Sequence, residues 1–467
     1  MKQISIMDTI SHVGKEIELF AWVGSKRDHK NVVFIDLRDR TGIIQTVGDS
    51  SLKGISPESV VKFTGLIKTR PERLVNPNIP TGAIEMEVHS FEILSPAKTP
   101  PIPLDTDGYD IDEELRLKYR YLDLRRNRMA KTLKLRSDYI RALREGLHKK
   151  EFTEVETPIL TKSTKEGSRD FIIPSRLQPG KFYALPQSPQ QYKQLLMVAG
   201  IEKYFQFAKC VRDEDLRADR GFEHTQLDLE MSFVTRDDVM NTVEEIIKNA
   251  VKAVDGKLQK ETFPVFDYQD AIKQFGADKF DLRTEKEKEE GVLAFAWVVN
   301  FPFFKKVDAT DKAEVQDGKS GWTFTHNPFS MPIPEHLEWH MAGKNIDKIA
   351  TSQYDLVCNG YELGGGSIRA HEPEILEATY RIMGYSPDEI KASIGHMLEA
   401  FNYGTPPHGG IGLGLDRQVM LLAGQKSLKE AIAFPMSSSG RTAVMDAPSP
   451  IDPKQLEELG IQVVPQK

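Results

Sequence analysis

The stretch KCVRDEDLRADRGFEHTQLDLEMSF, residues 209–233, gathers arginines, acids, a histidine and a glutamine between two apolar runs. In its second half, polar and apolar residues alternate with the period of a β-strand. One face would carry the apolar residues Leu227, Leu229, Met231 and Phe233, and the other the polar residues His224, Gln226, Asp228 and Glu230. A half-exposed strand would explain this alternation by itself. The preceding run YFQFAKCV (204–211) is typical of a second strand, however, so residues 212–222 become a loop between two paired strands. Because this loop interleaves arginines with acids, the unit predicts a site for an anionic ligand such as a polyphosphate.

A glycine-rich strand is expected at HGGIGLGLDRQVMLLAG (408–424). Gly410, Gly412 and Gly414 alternate with apolar residues inside the strand, which differs from a dinucleotide fingerprint, where glycines occupy the turn before a helix. A strand that is bare on one face lets a flat ring lie against its backbone. Arg417, at the start of the following helix, would cover the ring or pair with phosphate. The alternative is a strand packed closely beneath another element.

The third informative stretch is YDLVCNGYELGGGSIRAH (354–371). Asp355 and Glu362 lie in or beside strands, and two carboxylates near a triphosphate are natural ligands for Mg²⁺. The glycines 364–366 leave room for a substrate above the backbone, and Arg369 follows them. A solvated acidic edge is the alternative interpretation.

The rest of the chain predicts an α+β protein with two domains. Five short β-branched or aromatic runs within residues 1–105 indicate a small β-barrel of the OB-fold type. A Pro-rich and then charged hinge or linker covers 106–128, and a mixed domain with a largely antiparallel sheet flanked by helices covers 129–467. Residues 132–150 predict an amphipathic helix, and the charged run 283–291 predicts a solvated turn or helix.

Composition limits the cellular setting. The 467 residues are 39% hydrophobic with a net charge of −7, and no run is long and apolar enough for a membrane span. The N-terminus lacks the pattern of a secretory signal. The two cysteines, Cys210 and Cys358, are far apart, so we expect no disulfide framework and no zinc site, and a cytoplasmic location.

Taken together, these stretches resemble the class II aminoacyl-tRNA synthetases. Motif 1 would lie at about 151–160, motif 2 at about 204–233 and motif 3 at about 408–424. Five segments resemble, in order, those of bacterial aspartyl-tRNA synthetases, and the resemblance covers nearly the whole chain: TKEGSRDF, YALPQSPQQYKQLL, KCVRDEDLRADR, NGYELGGGSIR and GIGLGLDR.

The resemblance implies a fold, a reaction and a set of site residues. The fold would be an OB-fold anticodon-binding barrel followed by a class II catalytic domain. The enzyme would activate L-aspartate with ATP and transfer it to tRNA-Asp, using Mg²⁺ and working as a homodimer with Pro158 at the interface. The implied catalytic residues are Arg212, Glu362 and Arg417. The implied aspartate-binding residues are Glu166, Gln190, Lys193, Arg212, Asp228, His326 and Arg369. The implied ATP-binding residues are Arg212, Asp213, Glu214, Gly221, His224, Glu362, Gly414, Leu415, Asp416 and Arg417, with Asp355 and Glu362 as the Mg²⁺ ligands.

In the barrel, the resemblance implies anticodon contacts from Arg27, Phe34 and Gln45. An exposed Phe34 is ordinary at a barrel rim, but the basic residues around it favour stacking on an unpaired base. His29 falls where relatives that charge both tRNA-Asp and tRNA-Asn often carry histidine. We therefore favour an enzyme that charges both tRNAs over one specific for tRNA-Asp, the other interpretation of His29 being a solvated loop residue.

The pair Lys193 and Arg369 predicts selection of aspartate, because two cations favour a carboxylate over the amide of asparagine. An asparaginyl-tRNA synthetase shares the architecture and is the alternative. A non-catalytic relative is expected to have lost Arg212, Glu362 or Arg417, all of which are present. The loop 161–170 is the candidate lid over the site.

Three departures from the family pattern stand out. A domain of roughly a hundred residues, usual between motifs 2 and 3, is expected to be absent, since 275–283 runs almost directly into 294–302. His224 replaces the phenylalanine that would stack on adenine. Asn327 replaces the second of two consecutive histidines, the first being His326.

Overall fold

The structure is a computed structural model, which describes residues 4–164, 166–310 and 312–464. The chain forms two compact units, Met1–Lys131 and Thr132–Lys467. Their boundary lies three residues beyond the predicted start of the second domain at 129. Among the described residues, no helix has the length and apolar character needed to cross a membrane.

The N-terminal unit is a closed five-stranded barrel. Its strands are β1 (Glu16–His29), β2 (Val32–Arg38), β3 (Ile43–Gly48), β4 (Val60–Thr69) and β5 (Ile84–Ser95). They pair in the order β1-β2-β3-β5-β4, with only β3 and β5 parallel. Alternate residues point inward, as in β2, where Val33, Ile35 and Leu37 are fully buried. The five strands predicted from the sequence are all present.

The predicted linker, 106–128, is partly folded rather than a simple spacer. It contains the short helices α1 (Glu113–Lys118) and α2 (Arg120–Asp123). The buried carboxylate of Asp123 pairs with three arginines: Arg116 at 2.9 Å, Arg120 at 2.8 Å and Arg126 at 2.7 Å. Because a buried carboxylate needs charged partners, this cluster fixes the path of the segment.

The second unit contains the remaining strands and helices. The strands are β6 (Thr153–Glu154), β7 (Ile172–Pro174), β8 (Phe182–Ala184), β9 (Lys203–Val211), β10 (Glu223–Ser232), β11 (Lys257–Leu258), β12 (Val265–Asp267), β13 (Val292–Leu293), β14 (Phe295–Val299), β15 (Phe304–Lys306), β16 (Trp322–Phe324), β17 (Tyr354–Cys358), β18 (Tyr361–Ile368) and β19 (His408–Gly414). The helices, of which the first begins before the boundary, are α3 (Asn127–Lys149), α4 (Gln190–Val198), α5 (Arg236–Ala253), α6 (Tyr268–Phe275), α7 (Glu285–Glu289), α8 (Lys312–Asp317), α9 (Leu337–Ala342), α10 (Pro373–Ile382), α11 (Pro387–Phe401), α12 (Leu415–Leu422) and α13 (Pro453–Glu458).

An eight-stranded sheet, in the order β12-β14-β17-β18-β19-β10-β9-β6, organises this unit. Only the two outermost pairs are parallel, which confirms the largely antiparallel sheet expected from the sequence. One face of the sheet packs on α3, α5 and α12, whose buried side chains include Leu143, Val243 and Val419. The opposite face of the central strands carries the polar residues.

The structure excludes a half-exposed β10, which was the alternative interpretation of its alternation, and it differs from the prediction at Phe233. The strand is not half-exposed: Asp228 and Glu230 are as buried as Leu227 and Leu229. Phe233 does not continue the apolar face, because β10 ends at Ser232 and Phe233 has a positive φ of 59° and is 70% exposed. A buried polar face that is not solvated requires partners or a ligand.

Candidate active site

A cavity of about 260 Å³ lies over the polar face of the central strands. Strands β10, β18 and β19 form its floor, α4 and the start of α12 contribute to its walls, and the 212–222 loop lies over one end. The antiparallel pairing places Asp228 opposite Gly412 and Gly365 beside the same glycine, so residues distant in sequence meet there.

Three buried charged residues, Lys193, Asp228 and Arg369, line the end of this cavity that the resemblance assigns to the amino acid, and the buried Glu230 contacts two of them. Lys193 Nζ, on α4, lies 2.8 Å from Asp228 Oδ1 and 3.2 Å from Glu230 Oε2. Arg369 donates to Glu230 from Nε at 2.9 Å and Nη2 at 3.2 Å, and also to Ser367 Oγ and Gly410 O. The two cations predicted to select aspartate are therefore brought together by one carboxylate, that of Glu230.

The sequence analysis placed Glu230 on the polar face of β10 but assigned it no role. Burial opposes its ionisation, but Arg369 and Lys193 lower the pKa of Glu230 to about 2. Glu230 therefore stays ionised and holds Lys193 and Arg369 in position, as residues that support ligand-binding side chains commonly do. The alternation of β10 contained this signal, since Glu230 shares its face with Asp228.

Asp228 carries the clearest sign of a missing partner. Its Oδ1 accepts from Lys193, whereas Oδ2 is buried and makes no hydrogen bond of good geometry with a described residue, although the Tyr204 hydroxyl is close enough for Asp228 to raise the pKa of Tyr204. Burial raises the pKa of Asp228 in spite of Lys193. An unpaired buried acceptor beside a cavity suits a ligand ammonium group, because leaving such an atom unsatisfied costs about 1–3 kcal/mol.

We expect Glu230→Gln to lower the stability of the second unit in a pH-dependent way. Each pKa unit is worth about 1.4 kcal/mol, so the depressed pKa contributes on the order of 3 kcal/mol. Because the folded pKa is depressed to about 2, this contribution is complete above the ordinary glutamate pKa and is lost as the pH falls toward 2. Urea unfolding at pH 7, 4 and 3 should show the deficit of the variant shrinking. The exposed Glu289→Gln is the matched control, and a deficit equal at all three pH values would contradict the pairing.

Further polar residues extend the amino-acid end. Ser188 Oγ donates to Glu166 Oε2 at 2.5 Å, and burial raises the pKa of Glu166. Gln190 donates to Gln194, which in turn donates to the buried His408 at 3.1 Å. Glu166 and Gln190 both line the cavity, as does Asp228, and their contact with aspartate stays a prediction. The candidate lid, 161–170, includes Lys165, which lies outside the described residues.

Arg212 lines the cavity between this end and the opposite end, which the resemblance assigns to the nucleotide and which is called the nucleotide end below. Within the described part of the chain its guanidinium donates only to Gln187 O, at 3.4 Å, so most of its donors face the cavity. Its charge acts on Glu166 at one end and on His224 at the other. Burial, Arg212 and Arg417 lower the pKa of His224 to about 3, so the ring is neutral and can stack on a base.

Glycines make the floor of the nucleotide end flat. A Cβ at Gly412 would lie 3.2 Å from the Gln226 amide, and Gly414 also lines the cavity. At Gly410 a Cβ would lie 2.1 Å from Glu230 Oε2. Gly410 is therefore required by the buried charge cluster rather than by a ligand ring, whereas Gly412 and Gly414 border the space itself.

Arg417 and Glu362 close the far end of the cavity. Arg417 donates to Glu362 O at 2.7 Å and pairs with Asp219 at 3.1 Å. Lys279, which the sequence analysis did not single out, lies 2.8 Å from Glu362 Oε2. Burial alone would raise the pKa of Glu362, but Lys279 lowers it. Glu214 and Gly221 also border this end, where Glu214 accepts from Arg220 at 3.4 Å.

A hydrogen-bonded chain lies behind this end. Asp355 accepts from His326 at 3.1 Å and from Gln353 at 2.7 Å, and Asn327 donates to Gln353 at 3.5 Å. Burial opposes protonation of His326, but the neighbouring Asp355 carboxylate raises the pKa of His326 above its ordinary value. Asn327 therefore joins the network through its amide.

Three predicted ATP-site residues are placed differently from the expectation. The side chain of Leu415 is fully buried in the apolar core, and that of Asp213 pairs with Arg169 at 3.3 Å; neither lines the cavity. Asp416 borders the cavity, but its carboxylate is held by Arg136 at 2.6 Å and by the Thr225 amide at 2.8 Å. The carboxylates of Asp213 and Asp416 are already paired and Leu415 belongs to the core, so these side chains support the structure of the site.

In the barrel, the predicted anticodon residues lie together on adjacent strands. Arg27 is paired with Phe34 across β1 and β2, and its guanidinium lies 3.2 Å from Gln45 Oε1. The exposed His29 ring makes an edge contact with the Phe34 ring at 6.3 Å. An aromatic ring flanked by donors and cations is a suitable surface for an unpaired base.

Comparison with known proteins agrees with this architecture. A family model described as tRNA synthetases class II (D, K and N) matches residues 112–438, and one described as OB-fold nucleic acid binding domain matches 17–94. Among solved structures, asparaginyl-tRNA synthetase from Pyrococcus horikoshii with asparaginyl-adenylate has a TM-score of 0.73 at 22% identity, over 93% of this chain and 98% of that one. A putative aspartyl-tRNA synthetase from Leishmania major has a TM-score of 0.74 at 20% identity, over 93% and 92%.

Curated relatives are closer in sequence. An aspartate–tRNA(Asp/Asn) ligase from Moorella thermoacetica is 37% identical over 98% of this chain and 96% of its own length. An aspartate–tRNA ligase from Macrococcus caseolyticus is 37% identical over 97% of each. The Moorella alignment spans 579 positions although this chain has 467 residues, which supports the expected absence of about a hundred residues. The chain therefore belongs to the aspartate–tRNA ligases of the class II aminoacyl-tRNA synthetase family.

Proposed function

We propose that this chain activates L-aspartate with ATP and transfers it to tRNA. The observation that carries this proposal is the buried cluster of Lys193 and Arg369 on Glu230, beside the unpaired Oδ2 of Asp228. The two cations suit the side-chain carboxylate of aspartate, and Asp228 suits its ammonium group. Arg212, at the junction with the nucleotide end, would then face the α-carboxylate.

In the first step, an oxygen of the aspartate α-carboxylate attacks the α-phosphorus of ATP. This carboxylate oxygen forms the new bond to the α-phosphorus. The bond between the α-phosphorus and the oxygen that bridges to the β-phosphate breaks, and pyrophosphate leaves with that electron pair. Arg212 would hold the carboxylate and the α-phosphate together, and Arg417 would hold the far phosphates. Positioning and charge neutralisation of this kind need no proton transfer from the protein.

Asp355 and Glu362 would hold Mg²⁺ in this proposal. Both offer carboxylate oxygens on neighbouring strands, where Glu362 contacts Lys279 and Asp355 contacts His326, and oxygen donors of this kind suit the ion. When bound, the ion would neutralise charge on the phosphates. Glu362 faces the cavity directly, whereas Asp355 would have to exchange its contact with His326.

In the second step, a hydroxyl of the terminal tRNA ribose attacks the carboxyl carbon of the adenylate. The ester C–O bond forms, the C–O bond to the phosphate breaks, and AMP leaves with that electron pair. The hydroxyl proton passes to the departing phosphate or to water. The product is the aminoacyl ester.

Amino-acid-dependent exchange of pyrophosphate into ATP tests this function. We expect exchange with aspartate and background rates with asparagine, glutamate and lysine. Exchange with asparagine instead would assign the chain to asparagine activation, and no exchange with any of the four would contradict the proposal.

We further propose that the chain charges both tRNA-Asp and tRNA-Asn. Relatives such as that of Moorella carry both tRNAs in their names, and His29 lies against the Phe34 ring where an anticodon base would stack. Arg27 and Gln45 would complete this surface.

Two barrel variants should separate tRNA binding from tRNA choice. Phe34→Ala should lower charging of both tRNAs about 10–100-fold, since stacking contributes about 1–3 kcal/mol per base. His29→Leu should lower charging of tRNA-Asn by about tenfold, the scale of one polar contact, and leave tRNA-Asp unchanged. Charging kinetics with each purified tRNA provide the measurement, and aspartate-dependent exchange is the internal control. Equal effects of His29→Leu on both tRNAs would mean that His29 does not distinguish them, and no charging of tRNA-Asn by the native enzyme would show an enzyme specific for tRNA-Asp.

The proposal includes a homodimer in the cytoplasm. Motif 1 leaves Ile159 and Leu160, next to Pro158, 61% and 49% exposed, and such apolar residues suit a subunit interface. The free cysteines Cys210 and Cys358 suit a reducing compartment.

A further inference from the structure

Three polar side chains form a buried hydrogen-bonded series, here called the amide–imidazole chain, behind the amino-acid end of the active-site cavity. Gln190 Nε2 lies 2.9 Å from Gln194 Oε1, Gln194 Nε2 lies 3.1 Å from His408 Nε2, and His408 Nδ1 lies 2.8 Å from Pro406 O. Gln194 and His408 are fully buried, and of the three side chains only Gln190 lines the cavity. Gln194 and His408 have no part in the two reaction steps above, so their role must be sought in this chain.

The backbone carbonyl of Pro406 fixes the direction of the first hydrogen bond in the amide–imidazole chain. A carbonyl oxygen only accepts, so His408 carries its hydrogen on Nδ1. Burial lowers the pKa of His408 to about 4, although Glu230 and the Pro406 carbonyl act in the opposite direction, so the ring is neutral near neutral pH. A neutral imidazole has a single N–H, and His408 Nε2 is therefore an acceptor.

This acceptor then sets the orientation of both amides. Because His408 Nε2 accepts, Gln194 turns its amide nitrogen toward the ring and its oxygen toward Gln190. The Gln194 oxygen accepts in turn, so Gln190 directs its amide nitrogen at Gln194 and its own Oε1 away from it. Gln190 Oε1 makes no hydrogen bond with any residue within 4–164, 166–310 and 312–464. Gln190 therefore offers the cavity an acceptor, and the amide–imidazole chain excludes the flipped orientation.

An acceptor at this position suits the ammonium group of an amino acid. An ammonium group has three N–H donors, and the carboxylates of Glu166 and Asp228 line the same cavity. If the Gln190 amide were turned the other way, its N–H donors would meet those of the ligand, and an attraction would become a repulsion. The orientation of this one amide thus affects how well the site binds an ammonium group.

We propose that Gln194 and His408 are positioning residues that act through Gln190, holding its amide oxygen toward the ammonium group of the bound amino acid. The inference rests on the proposed function, because it takes an amino acid to be the ligand at this end of the cavity. Neither Gln194 nor His408 lines the cavity, so both affect the ligand only through the amide of Gln190. The Pro406 carbonyl anchors the far end of the chain.

Gln194→Leu tests the proposal, because it removes the acceptor that holds the amide nitrogen of Gln190. Binding of aspartate should weaken by about tenfold or more, the scale of one hydrogen bond to a charged group. Succinate, which is aspartate without its ammonium group, should bind with nearly its native affinity. Calorimetric titration gives the dissociation constant of aspartate, and displacement of aspartate gives that of succinate. A distorted cavity would weaken both ligands alike, so the ratio of the two constants reports the ammonium contact.

Two further variants on α4 control this experiment. Gln194→Glu keeps an oxygen acceptor toward Gln190, so it should recover most of the preference for aspartate over succinate that Gln194→Leu loses. Gln191→Leu makes the same chemical change at the neighbouring position, where Gln191 Oε1 lies 2.8 Å from His396 Nε2 and the side chain does not line the cavity. Both dissociation constants should stay at their native values in Gln191→Leu.

His408 gives a second route to the same result if Gln194→Leu does not fold. His408→Leu removes the acceptor for Gln194 and should cause the same selective loss of aspartate binding. The amide in His408→Gln can donate to Pro406 O and accept from Gln194, so this variant should recover most of the lost preference. A preference for aspartate over succinate that stays native in both leucine variants, or an equal loss of both ligands, would overturn the positioning role.

The behaviour of the native enzyme separates this proposal from the proposed function. Native binding and activation of aspartate, with no selective loss in the leucine variants, would retain the proposed function and overturn the positioning role. If the native enzyme bound asparagine and not aspartate, the proposed function would fall. The same comparison of asparagine with succinamate, its counterpart without the ammonium group, would then decide on Gln194 and His408. A native enzyme that binds neither amino acid would overturn both proposals.

Discussion

Arg212→Ala is expected to lower aspartate-dependent pyrophosphate exchange by at least 10²–10³-fold, the usual effect of losing one donor aimed at charge that develops in a transition state. The physical reason is the position of the guanidinium, whose charge acts on Glu166 at the amino-acid end and on His224 at the nucleotide end. Its single hydrogen bond to a described residue, to Gln187 O at 3.4 Å, contributes little to the fold. The thermal midpoint of the variant should therefore stay near that of the native protein.

Arg217→Ala provides the matched control for this experiment. Arg217 belongs to the same loop, is exposed, and does not line the cavity. Exchange should be nearly unchanged in this variant, because no tRNA takes part in the assay. If Arg212→Ala kept near-native exchange, the carboxylate and α-phosphate would have to be held by other residues, and the proposed first step would be wrong.

Much of this fold is predictable from local patterns. The barrel strands follow from alternating apolar residues such as Val33, Ile35 and Leu37, and the central strands of the sheet follow from apolar runs bounded by turns. These patterns are properties of single strands, and they survive in the folded protein because each strand has one face in a core. The order of strands in the sheet depends on pairing between distant segments, which periodicity does not specify.

The candidate site was less predictable where a side chain depends on a distant partner. Asp416 follows Gly414 closely in sequence, but its carboxylate is held by Arg136, 280 positions earlier. Lys279 lies far from any motif and meets Glu362 only because of tertiary packing. Glu230 lay on the predicted polar face, yet its pairing with Arg369 and Lys193 is visible only in three dimensions. In each case the deciding interaction is an ion pair between residues far apart in the sequence, and the pairs of Asp416 and Glu230 are largely buried as well.

Arg369→Gln should have two large effects that can be separated. It removes one of the two cations proposed to bind the substrate side chain, so aspartate-dependent exchange should fall by about 10⁴-fold, the scale on which a site built for a polar partner discriminates. It also leaves Glu230 with Lys193 as its remaining cationic partner in the interior, and breaking a buried pair costs about 3–5 kcal/mol. Exchange kinetics measure the first effect, and urea unfolding measures the second.

The double variant Arg369→Gln/Glu230→Gln separates chemistry from folding. It replaces the charged pair by two amides that can hydrogen-bond, so most of the lost stability should return. Aspartate activation should not return, because the carboxylate-binding cation is still missing, and the preference for aspartate over asparagine should remain reduced. If the double variant regained native exchange, Arg369 would act only by balancing Glu230. Selection of aspartate would then have to come from Lys193 alone, which still lies 2.8 Å from Asp228.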